Sequence, residues 1–112
     1  ASTSVTEPRL RADLWVSAYL ARLGQQGIPA FVAARGDATA GAVLVVVATL
    51  DGRASAFQRG FDLLTGERAW VLLREGTEGE VAEAVARQRR FDPDLWVVEV
   101  EDPRGRHLLG EM

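Results

Sequence analysis

The side chains most able to do chemistry lie late in this 112-residue chain: Asp92, Asp94, Glu99, Glu101 and Asp102. Pro93-Asp94 followed by Glu99-Val100-Glu101 echoes the spacing of divalent-metal hydrolases, in which carboxylates hold magnesium or manganese while a lysine helps activate water. Two features oppose that reading. The position where a lysine belongs is Glu101. Asp94 and Glu99, if they share one extended strand, are separated by about 16 Å at ~3.3 Å per residue, and one ion with bonds of about 2.1–2.5 Å cannot take both unless the chain bends. Asp94 is therefore expected in a turn, with Glu99 and Glu101 on a solvated strand face or paired with arginines. No catalytic residue or metal ligand is assigned. Asp92, Asp94, Glu99 and Glu101 stand as the candidates if the chain is a carboxylate-based hydrolase.

The remaining polar vocabulary is narrow. There is no cysteine, one histidine (His107), and all 13 cations are arginine. Cysteine nucleophiles, cysteine zinc sites, lysine Schiff bases and lysine-dependent phosphate loops are excluded. Arginine's planar fork suits phosphate, which makes Arg35, Arg87 and Arg90 candidate ligand-binding residues, with Asp37 shaping the Arg35-Gly36-Asp37 loop. The competing reading is structural: Asp37 in an Asx-turn between Gly36 and Gly41, and Arg87, Arg89 and Arg90 ending a helix where its dipole favours cations. Arg9, Arg11 and Arg22 form the other basic concentration, but no aromatic stacking motif accompanies either group. A net charge of −3 argues against DNA or a membrane as partner. For His107, no spacing supports a pairing with Asp102 or Glu101, and it falls in a segment expected to be mobile. Trp15, Trp70 and Trp96 each sit among apolar neighbours and are expected to pack in a core.

These side chains need elements to hold them. Residues 1–8 read as a flexible tail. From Pro8 or Asp13 the apolar residues recur at helical spacing (Trp15, Tyr19, Leu23; Val16, Leu20), with Asp13 as a possible cap and a stop at Gly24 or Gly27. Ala30–Arg35 is a strand. Ala42–Leu50, a nearly unbroken Val/Leu run, reads as a strand covered on both faces. Asp51-Gly52 predicts a type I′ hairpin into a partner strand over 53–59, followed by a loop over 60–66 and a strand over 67–74. Thr77-Glu78-Gly79-Glu80 is a capping box opening a second helix with a Glu83–Arg87 pair, fading by Phe91 because Asp92 precedes proline. The last strand, 95–101, sends Trp96, Val98 and Val100 one way and Val97, Glu99 and Glu101 the other. The class is α+β: two helices on a mainly antiparallel sheet of four to five strands, in the order α-β-β-β-β-α-β. A single domain is expected over 9–106, with 107–112 a short C-terminal tail.

The ordered segments "DLWVSAYLARL", "RGDATAGAVLVVV", "GERAWV" and "RRFDPDLWVVEVEDPRG" resemble a small bacterial family, the domain of unknown function numbered fourteen ninety-one, from about Arg9 to Arg106. The resemblance implies a single-domain bacterial protein of the cytoplasm and carries no activity or functional residue across.

With no signal-like segment at the start, the chain is expected to be cytoplasmic and to need no cofactor. The favoured function is a non-enzymatic interaction module, acting as a homodimer or with a protein partner, because a small sheet leaves edges that need cover. The alternatives are the carboxylate-based metal hydrolase and arginine-mediated binding of a phosphate-bearing ligand or RNA.

Overall fold

A computed structural model describes residues 10–61 and 64–112. Its elements are α1 (Ala12–Gln25), β1 (Ala30–Ala34), β2 (Val43–Ala48), β3 (Arg53–Phe61), β4 (Arg68–Thr77), α2 (Glu78–Phe91) and β5 (Trp96–Glu101), with a 3-10 turn at Leu109–Glu111. The order is the expected one. The class is α+β.

The two most continuously apolar strands are central, since only strands covered on both faces can bury side chains pointing both ways. β5 lies between β1 and β2, giving the sheet order β1-β5-β2-β3-β4. β5 runs parallel to β2 and antiparallel to β1, and the other pairs are antiparallel. The sheet is thus mixed and mostly antiparallel.

One helix packs on each face. On the α1 face, Val16, Tyr19 and Leu23 meet Val45, Val47, Trp96, Val98 and Val100. On the α2 face, Val81 joins Leu44, Ala54, Ala56 and Leu95, flanked by Val46, Leu73 and Val85. α2 opens with the expected capping box: the Glu80 amide donates to Thr77 Oγ1 at 3.1 Å, and the Thr77 amide donates to Glu80 Oε1 at 2.9 Å.

Four local expectations need correction. The first helix starts at Ala12, and Asp13 lies in its first turn rather than capping it. The Ala12 and Asp13 amides are satisfied instead by the Thr39 and Ala38 carbonyls across the chain. The β2–β3 connection is not a type I′ turn. Leu50 and Gly52 adopt positive φ while Asp51 does not, because the Asp51 carboxylate accepts from Thr49 Oγ1 and the Arg53 amide and stabilises a longer loop. Glu83 and Arg87 form no ion pair, both being exposed on the solvent side of α2. The segment 107–112 is no free tail: Leu109 is buried in the α1-face core, and the Tyr19 hydroxyl donates to the His107 carbonyl at 2.7 Å. The expected N-terminal tail and Arg9 lie outside the described residues.

Candidate functional site

The sequence-derived candidates separate into structural roles. The loop after β1 is clasped to the turn before β5. The Asp37 amide donates to the Asp94 carbonyl at 3.0 Å, and Trp96 Nε1 donates to the Asp37 carbonyl at 2.7 Å. The Asp37 carboxylate accepts from the Thr39 and Ala40 amides, which is the Asx-turn reading. Arg35 places its guanidinium 5.0 Å from the centre of the Trp96 ring, a cation–π contact. Asp92 accepts from the Asp94 amide, so both carboxylates belong to the turn that starts β5. Arg87 and Arg90 are exposed near the end of α2.

The acidic run 92–102 is therefore not one site. Asp92 and Asp94 sit before β5, Glu99 and Glu101 on its α2 face, and Asp102 beyond it. Asp102 is buried and takes a two-pronged grip from Arg106 at 3.1 and 3.0 Å. That grip holds its carboxyl at about 2, below the ordinary 3.8. Among the described residues no three histidine, aspartate or glutamate side chains converge to hold a metal ion.

What the fold does assemble is a groove on the α2 face, with a cavity volume of about 350 Å³. α2 lies mainly over β3 and β4, leaving the sheet toward β1 open. The floor is Ala33, Ala34, Val46, Ala48 and Val97, and the helix wall is Ala82, Val85 and Ala86. Short side chains on both sides make the trough.

Its two ends carry opposite charge. Because β5 returns directly from the end of α2, Glu99 faces back toward the helix start. There Glu78, Glu99 and Glu101 form an acidic end. Burial, helped by the charges of Glu101 and Glu78, pushes the Glu99 carboxyl above its ordinary value. At the other end Arg89 donates to the Pro93 carbonyl at 2.9 Å and to the Arg35 carbonyl at 3.4 Å, tying α2 to the end of β1. Its buried Nε has no hydrogen-bond partner.

Of the sequence candidates, Glu99 lines the groove, with Glu101 near it at the acidic end. Sequence reasoning gave Glu78, Ala82 and Ala86 no place in a site and read Arg89 as one of the cations that end a helix. The first three recur every four residues, a helical stripe, but alanine satisfies helix propensity wherever it sits and so signals no surface.

A second hollow lies on the α1 face, lined in part by Phe57, Trp70, His107 and Met112. Phe57 and His107 meet there at 4.8 Å, and behind Trp70 the ring of Trp15 lies 5.3 Å away, itself stacked on Tyr19 at 4.9 Å. His107 is half-buried rather than on a mobile surface. Its Nδ1 accepts from the Leu109 amide at 3.1 Å, and burial holds its pKa below the usual histidine value.

The architecture defines a small α+β domain with one groove of opposed charge and no assembled catalytic constellation among its described residues. A model of the family "Protein of unknown function (DUF1491)" matches residues 10–110, and the chain belongs to that family. The chain is similar to a DUF1491 family protein from Caulobacter crescentus CB15. Its crystal structure superposes with a TM-score of 0.81 at 43% identity, over 90% of this chain and 95% of that one. The NMR structure of a DUF1491 family protein from the same organism gives 0.78 at 42% identity, over 92% and 94%. The solution structure of protein Atu0922 from A. tumefaciens gives 0.71 at 33% identity, over 84% and 86%. A search of curated proteins finds no match. Among the described residues no helix is long and apolar enough to cross a membrane.

Proposed function

We propose that this protein is a non-enzymatic interaction module of the bacterial cytoplasm, working as a homodimer or with a protein partner through the groove beside α2. The observation that carries this reading is the uncovered apolar floor between α2 and β1. It lies next to an edge strand whose Phe31 is 47% exposed. An edge strand presents unpaired backbone groups, and an open apolar surface beside it is the kind of patch that marks an interface. The carboxylate-hydrolase reading loses support because Asp92 and Asp94 serve a turn away from Glu99 and Glu101. The phosphate or RNA reading loses support because Arg35 is stacked on Trp96.

The test is a photo-crosslinking amino acid at Ala86 inside the groove, with one at exposed Ser17 on α1 as control, in living cells. A defined adduct, with itself or with one other protein, is expected from position 86 and not from 17. No adduct at 86, or equal yields at both, would overturn the proposal.

A further inference from the structure

We infer that the groove is closed by a second copy of this chain, with the two α2 helices packed antiparallel about a two-fold axis. This inference rests on the interaction-module reading and names its partner. An isologous interface requires a surface complementary to itself. The exposed stripe of α2 has that property.

Reading every fourth residue gives Glu78, Ala82, Ala86 and Arg90, all exposed. The order is acid, small, small, base, so the two halves of the stripe are complementary in charge. Antiparallel pairing sets Glu78 against the partner's Arg90, Ala82 against the partner's Ala86, and the same contacts in reverse. Helix geometry accommodates this when the helices cross: four-residue steps turn the stripe by about 120° over the roughly 18 Å rise from Glu78 to Arg90, so the two stripes align at a crossing angle of about −50°. Facing alanines permit an interaxial distance near the close limit of about 8 Å.

The rest of the groove agrees. The acidic end, where Glu78, Glu99 and Glu101 gather, has no cation within ion-pair distance in the described structure, although burial already raises the Glu99 carboxyl. The partner's Arg90 would deliver a cation to that end. The apolar floor around Ala33, Val46 and Val97 would be shut from water by the same approach. A parallel arrangement would place like charges together at both ends, which is disfavoured.

A charge-exchange experiment on the whole chain tests this. Glu78 and Arg90 are both exposed and neither makes a bond of the Thr77–Glu80 capping box, and circular dichroism melts verify that Glu78→Arg and Arg90→Glu both fold. Sedimentation equilibrium across about 5–500 μM should give a concentration-dependent dimer for the native chain. Each variant alone faces two like-charge contacts and should dimerise at least about tenfold more weakly. Their equimolar mixture restores both opposite-charge contacts and should recover a dimer close to native strength.

A native chain that stays monomeric at the highest concentration overturns the inference, as does a mixture no stronger than either variant alone. If the chain is monomeric yet position 86 crosslinks to another protein, this inference falls and the interaction-module reading stands. If position 86 gives no adduct, both fall.

Discussion

Replacing Gly36 with alanine tests the clasp that sets the geometry of the groove's basic end. A Cβ at this position would overlap the Asp94 carbonyl oxygen and lie 2.7 and 2.8 Å from the Asp94 and Leu95 carbonyl carbons. All three are backbone atoms, so relief requires the loop to move away from the turn. That movement breaks the Asp37–Asp94 bond at 3.0 Å and strains the Trp96–Asp37 bond at 2.7 Å. A lost hydrogen bond costs about 1 kcal/mol, and a buried donor left unpaired about 1–3 kcal/mol. Gly36→Ala should therefore destabilise by about 3 kcal/mol. At an unfolding entropy of about 2.1 cal/mol/K per residue, that lowers Tm by roughly 12 °C. Gly24→Ala is the control. It is inside α1, has no neighbour within 4 Å of the added carbon, and should stabilise by about 0.5–1 kcal/mol. Thermal melts followed by circular dichroism measure both. A Gly36→Ala protein melting within about 2 °C of native would refute the claim that this contact holds the loop.

Three further substitutions probe the cap, the groove and the β5 exit. Thr77→Ala removes the oxygen that accepts from the Glu80 amide and should cost about 1 kcal/mol by urea denaturation, with Thr77→Ser recovering most of it. Glu99 has a raised folded pKa, so its contribution to stability is fully present below the ordinary 4.5 and is lost as pH rises through the folded value. Glu99→Gln should therefore raise Tm at pH 7, and that gain should shrink toward zero near pH 4. Asp102 has a lowered folded pKa, so its stabilisation is present above 3.8 and is lost as pH falls through about 2. Asp102→Asn should destabilise at pH 7, with the difference from native closing in acid as pH approaches 2.

Legibility followed how locally each feature is encoded. The second helix was readable because its start is a reciprocal bond between residues three apart, Thr77 and Glu80, and because Asp92-Pro93 cannot continue it. The faces of β5 were readable because alternation is local: Trp96, Val98 and Val100 do enter one core, while Glu99 faces the other side. The Asp51-Gly52 turn misled because the dipeptide suits type I′ only when nothing competes. Here the Asp51 side chain binds Thr49 and Arg53 and moves the positive φ to Leu50. The C-terminal segment was illegible because a lone Leu108-Leu109 pair has no period, and its burial depends on α1, many residues away. The groove was half legible. Its acids lay in a conspicuous run, but the run spans a turn, a strand and a second turn that point apart, and the feature that makes the trough is the smallness of its alanines.

The two faces of the sheet solve the same geometric problem differently. Five strands at about 4.8 Å spacing make a surface roughly twice as wide as one helix of about 10 Å diameter. One 14-residue helix per face therefore leaves half of each face uncovered. On the α1 face the chain supplies the missing cover itself. Arg106 turns on Asp102, which sends the last residues across the sheet, where Leu108 and Leu109 join the core, and Trp15 and Trp70 fill the remaining width. On the α2 face no described segment returns, and the side chains lining the gap are mostly alanine and valine. A gap bounded by large aromatics would collapse inward and bury itself. A gap bounded by small side chains and charged at both ends keeps its shape and leaves its apolar floor open, which is the surface the proposed second copy would cover.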